Sequence, residues 1–375
     1  MRFAVAAMLI IAMAFFLPTP KARAAPATGR ALYPQHAIRP RLAPTATSFV
    51  AIPFPSPHPF AVGNVVFLPS GTAYFTDAKN ELASFTPGGV YTRIPVPHAV
   101  LSYTLLYARG VFWMIADQGI VKVAPDGSSR RWYPLTAPGE KVAYVQSMAA
   151  GPGGVIYALG AVAANGDEIP TSTLFRIGTN GVVTTTPLSV MPAGNGTEVF
   201  GSDNLLYFGY VGPAGSSGIA RLESDGSLSL FPIAGASQIG SFVLSRGDIY
   251  FDYSYYDSAT LYYTGQLGRF TPAGAITMIS LPSTGPSTSP SQLAVDKGGN
   301  IWLDVDNPYG INQYFMYQFN VYTGHFNGPY LTGLPNLFYN GPAVAPNDNV
   351  WIVLPASSGV DDFQPIGFGI FERGA

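Results

Sequence analysis

The chain has 375 residues, with 19 Lys and Arg against 21 Asp and Glu, a net charge of −2 and only 11% charged residues. That balance excludes the dense cationic surface that nucleic-acid binding requires. The absence of cysteine excludes disulfides, thiolate nucleophiles and Cys-ligated metals.

The chain opens on a targeting pattern. Arg2 gives a short positive region, Phe3 to Leu17 is an apolar run short for a membrane span, and Ala22-Arg23-Ala24 fits small-x-small cleavage. We therefore expect a signal peptide over 1–24 and an exported protein: periplasmic, cell-surface or secreted. No membrane span is expected after cleavage, and without Cys no lipid anchor at the cleavage site. Residues 25–44 are rich in Pro and Ala without periodicity and read as a tether.

From residue 45 one unit recurs: a short apolar strand, a turn with Gly, Asn or Asp, then a strand bearing an aromatic. The seven instances end at Tyr74, Trp113, Tyr157, Tyr207, Tyr250, Trp302 and Trp351. Their spacing of roughly 40 to 50 residues is that of a propeller blade. A third strand then ends at a Gly turn, as in Thr86-Pro87-Gly88-Gly89, Pro125-Asp126-Gly127 and Ser224-Asp225-Gly226. Such turns suit tight hairpins because Gly tolerates positive φ. A fourth strand runs into Pro at Pro95, Pro134, Pro187, Pro232 and Pro282, which suits an exposed outer edge. The seventh unit has a third strand over 367–373 and then no room for a fourth, whereas Ser48 to Pro53 is a fourth strand without a unit. The expectation is an all-β, seven-bladed propeller over 45–375, its ring closed by the N-terminal strand.

The stretch Leu293-Ala294-Val295-Asp296-Lys297-Gly298-Gly299-Asn300-Ile301-Trp302 resembles the blade repeat of streptogramin lyases (virginiamycin B lyase), and Pro346 to Trp351 and Val123 to Gly127 have the same style. The motif is shared with NHL and related propellers, so the resemblance is one of fold. It implies a divalent metal held partly by a carboxylate, and a His base, at the channel mouth. The matching positions here are Asn64, Ser102, Gln146, Thr197, Ser241, Gln292 and Asn340, all neutral, with no His and carboxylate pair. The lyase activity is not carried over on these residues, and no cofactor is expected outside that reading.

Four His are present. His36 lies in the tether and His325 in a third-to-fourth strand turn, while His58 and His98 follow fourth strands and could approach Glu198 at the upper rim. A His pair with one carboxylate can ligate a metal or act as base, but this spacing matches no metal signature. Asp304-Val305-Asp306 begins like a calcium loop, yet Asn307-Pro308-Tyr309 breaks the pattern and no Glu closes it. No nucleophile elbow, Walker loop or dinucleotide fingerprint occurs.

A residue bias is more informative. The loops joining second to third strands in blades five to seven are expected to hold Asp252, Tyr253, Tyr255, Tyr256 and Asp257, then Asp304, Asp306, Tyr309 and Tyr314, then Asp361 and Asp362. Tyrosine offers flat apolar area with a hydroxyl, and carboxylates accept hydrogen bonds from sugars or attract cations. The first reading of function is therefore a monomeric binding module for a glycan, peptide or protein on this upper face. A metal-assisted lyase or hydrolase at the channel mouth is the alternative, and a structural envelope protein the plainest one.

Overall fold

The computed structural model describes residues 48–54, 64–77, 81–97, 104–136, 140–164, 170–193, 198–212, 216–257, 262–282, 290–307, 313–331, 341–355 and 365–372. They form seven blades of four antiparallel strands in a ring, a β-propeller. Blade six shows the pattern: Pro290–Val295 pairs with Ile301–Asn307, which pairs with Gln313–Asn320, which pairs with His325–Leu331. First strands of consecutive blades approach one another at the centre, as Gln238–Ser245 of blade five does Pro290–Val295.

The turn residues account for the repeat. Between first and second strands the chain needs positive φ, supplied by Gly71, Gly110, Gly153, Gly247 and Gly299, and by Asn204 (62°) and Asp348 (70°) in blades four and seven. Between third and fourth strands the same need falls on Gly89, Gly127, Gly181, Gly226, Gly274 and Gly324 in blades one to six.

Blade seven draws on both ends of the chain. Ser48–Pro53 pairs antiparallel with Pro365–Glu372, from Ser48 opposite Glu372 to Pro53 opposite Gly367. Phe54, one residue on, packs edge-on against Phe85 and Phe368 and near Phe75, in an aromatic cluster joining blade seven to blade one. Such pairs are worth about 0.5–1.5 kcal/mol each beyond burial.

The repeat motif has a structural purpose visible in blade six. Asp296 is 4% exposed. Its carboxylate accepts from the Asn300 amide (2.8 Å), Asn300 Nδ2, Trp302 Nε1 (3.3 Å) and Gln318 Nε2 (2.8 Å). One acid thus fastens the turn, the second strand and the third.

Candidate functional site

The mouth positions are ties between blades. Asn64 donates from Nδ2 to the Leu105 carbonyl at 2.8 Å and accepts from the Leu105 amide, so its whole side chain is spent on blade two. Thr104 of blade two donates to the Gln146 carbonyl of blade three (3.2 Å), and Gln146 donates to the Ala193 carbonyl of blade four. Ser241 of blade five accepts from the Leu293 amide of blade six at 3.3 Å. Gln292 stands against blade seven, where a Cβ on Gly341 would come within 2.2 Å of its own Cβ. Ser102, Thr197 and Asn340 lie outside the described residues. The Asn64 amide, the Gln146 amide nitrogen and the Ser241 hydroxyl are engaged by backbone of the neighbouring blade. They do not fit the divalent metal that the resemblance implies, and we derive no step through one.

The acidic residues of blades five and six stand differently from their loop assignment. Asp252 to Asp257 all lie in the second strand of blade five, Asp248–Asp257; Asp304 and Asp306 lie in Ile301–Asn307, and Tyr314 in Gln313–Asn320. Asp252 and Asp304 are each 7% exposed, and Tyr253 is buried as well. Asp252 accepts from the Ser241 amide at 3.0 Å, and its carboxylate sits where a Cβ on Gly240 would have to go, 2.1 Å from Oδ1. Asp304 accepts from the Gln292 amide (3.3 Å) at the matching point of blade six. Both acids thus cap irregularities in first strands, where the register shifts between Ile239 and Phe242 and between Pro290 and Leu293. Burial pushes the Asp252 carboxyl well above the usual range; the Ser241 and Gly240 amides pull it down, and the Asp304 charge adds to the rise. Asp252, Tyr253 and Asp304 are therefore buried strand residues rather than parts of an open rim.

Tyr255 is partly buried, its ring 6.2 Å from that of Tyr253. Tyr256 and Asp257 continue the strand, paired with Tyr263 and Tyr262 of the third strand, and Asp306 pairs with Tyr314 in blade six. Tyr309, Asp361 and Asp362 lie outside the described residues, as do His36, His58 and His98. His325 begins the fourth strand of blade six and is exposed. Among the described residues no three of His, Cys, Asp and Glu gather as a metal site. No helix among them is long and apolar enough to cross a membrane.

Glu198, weighed in the sequence only as a neighbour of two histidines, is a buried acid without the partners that Asp252 and Asp304 have. It is 5% exposed, and neither carboxylate oxygen has a hydrogen-bond partner. It sits at a break in the first strand of blade four, which pairs with Leu206–Val211 in two pieces, Met191–Pro192 and Val199–Phe200. Burial raises its pKa to about 8; the Ser147 hydroxyl and its own amide oppose that, without completing a hydrogen bond.

No protein-family model matches the chain, and no curated protein sequence does. Solved structures do. A streptogramin B lyase is 18% identical with a TM-score of 0.65, over 87% of this chain and 98% of that one. An inactive virginiamycin B lyase from Staphylococcus aureus with quinupristin is 16% identical with a TM-score of 0.61, over 87% and 99%. The extracellular domain of a two-component system protein from B. thetaiotaomicron is 15% identical with a TM-score of 0.60, over 88% of this chain and 40% of that one. At these identities the likeness is one of architecture: the chain has the streptogramin-lyase-like seven-bladed propeller fold.

Proposed function

We propose that this protein is an exported binding propeller whose ligand lies on the upper face over blades five to seven. The observation that carries the reading is the hairpin of blade five. The second strand of blade one ends at Thr76, the register of Asp252, whereas in blade five it continues to Asp257, paired with Tyr262. Blade three runs equally far, to Ala164, but its extension from Gly160 is small and aliphatic. That of blade five places Tyr255, Tyr256, Tyr262 and Tyr263 on two paired strands. Paired aromatic positions above a buried acidic layer suit an extended polar ligand with flat faces, a glycan or a peptide, bound by stacking and hydrogen bonds. The N-terminal apolar segment supports export, and extracellular domains among the fold's neighbours are in keeping with it.

The test is a glycan and peptide array probed with the purified protein and with the Tyr255→Ala, Tyr256→Ala, Tyr309→Ala triple variant. Binding by the parent should weaken at least tenfold in the variant, since one aromatic anchor is worth about 1–2 kcal/mol. Full retention in the triple variant, with loss on changes around His325, would place the site on the opposite face.

A further inference from the structure

Glu198 occupies a position that the other blades fill with apolar residues. In blades two, three, five and six the same register, one step before the strand-two aromatic's partner, holds Leu105 opposite Met114, Met148 opposite Ala158, Phe242 opposite Phe251 and Leu293 opposite Leu303. Blades one and seven have Val65 and Pro342 there by continuation of their registers. A carboxyl in this layer loses its hydration and needs a compensating partner. None of the described side chains supplies one.

The neighbouring blade presents more oxygen. Ser147 is 2% exposed and its hydroxyl has no partner, although the matching Asn64 and Ser241 each bind the backbone of the next blade. Gln146, whose Nε2 is fixed on the Ala193 carbonyl beside the same strand break, has its Oε1 buried and unpartnered. Two carboxylate oxygens and a hydroxyl therefore meet between blades three and four, and the buried Oε1 of Gln146, next to Ser147 in the same strand, is a further unpartnered oxygen on that side. The carboxylate oxygens are fully buried, so a substrate has no access to them.

We propose that Glu198, with the Ser147 hydroxyl and the Gln146 amide oxygen, forms an inter-blade site for an alkali-metal cation. Hard oxygen donors without nitrogen or sulfur suit a hard cation. The single carboxylate selects a monovalent one, because a divalent ion would leave a net charge buried. Binding replaces the carboxyl proton with the ion, and one proton leaves to solvent. Burial, the Ser147 hydroxyl and the Glu198 amide set the ionisation of this acid, and no charged side chain among the described residues contributes to it.

The experiment uses the full chain in choline chloride, titrated with sodium or potassium chloride at constant ionic strength and neutral pH. Thermal unfolding and proton release in weak buffer are followed together. The ion should stabilise the fold by mass action, raising the folding constant about 16-fold at fifteen times Kd, with up to one proton released per ion. Glu198→Gln, which keeps the shape, should abolish both responses, and Ser147→Ala should weaken the affinity while leaving a response. The proposal is overturned if choline acts as sodium and potassium do, if the response survives in Glu198→Gln, or if only calcium or magnesium elicits it. The site belongs to blades three and four, so loss of ligand binding in the tyrosine variant leaves this test unaffected.

Discussion

Asp296 in blade six and Glu198 in blade four are acids of nearly equal burial, 4% and 5% exposed, in the same ring of repeats. Asp296 meets donors from Asn300, Trp302 and Gln318; Glu198 meets none. The first holds three strands together, and its counterparts show what is lost without it: Trp113 and Trp351 carry indole nitrogens with no acceptor. The second interrupts an apolar layer and sits at a strand break. Burial alone therefore does not tell a structural acid from a functional one; the partners do.

A truncation sets the scale on which that contrast is read. Deleting residues 1–44 should leave the melting temperature nearly unchanged, whereas deleting through Phe54 removes a strand and an aromatic hub and should lower it most of all. Equal melting temperatures for the two truncations would show that the pairing of Ser48–Pro53 does not seal the ring. Next in size, Asp296→Ala strands four donors, the buried Trp302 and Gln318 nitrogens and the half-buried pair on Asn300, and should cost about 3–5 kcal/mol in denaturant unfolding. A cost below 1 kcal/mol would remove the contrast from its structural side. Glu198→Leu, which restores the residue found in blades two and six, should have the opposite sign, a gain on the order of 2–3 kcal/mol at pH 7 in low salt. If both substitutions destabilise, Glu198 is structural after all. The smallest effect concerns neither acid. Tyr255→Ala alone should weaken ligand binding about tenfold with no change in melting temperature beyond a degree or two.

Much of the ring was legible in the residues because its turns demand particular backbone. Positive φ at seven first turns and six third turns falls mostly on Gly, Asn or Asp, with Arg109 and Arg246 beside Gly110 and Gly247 as the exceptions, so the repeat is written at those points. The strand ends were less legible. Blade five carries its second strand five residues past the end set by blade one, so Tyr253 reads as a loop residue though it is buried in a strand, and Asp252, at the register where the strand of blade one ends, was grouped with it. Neutral residues at the mouth were weighed for chemistry, whereas Asn64, the amide nitrogen of Gln146 and Ser241 are taken up by bonds to the next blade. Glu198 was visible only as an acid near two histidines. Setting the seven repeats in register, with Leu105, Met148, Phe242 and Leu293 in one column, is the signal that marks it, and that register depends on strand pairing across the bulges.

The pH dependence of folding tests the central contrast most directly. Glu198 has its folded pKa raised from 4.5 to about 8, so the folded state keeps a proton that the unfolded chain has released between those values. Stability from this group is complete below pH 4.5, falls by roughly 1.4 kcal/mol per pH unit up to about pH 8, and changes no further above it. Denaturant unfolding of the parent and Glu198→Gln in choline chloride from pH 4 to 9 should give curves that diverge with that slope and then run parallel. Curves parallel across the whole range would mean that Glu198 ionises normally in the fold, and that blade four holds no acid set apart from Asp296 by its want of partners.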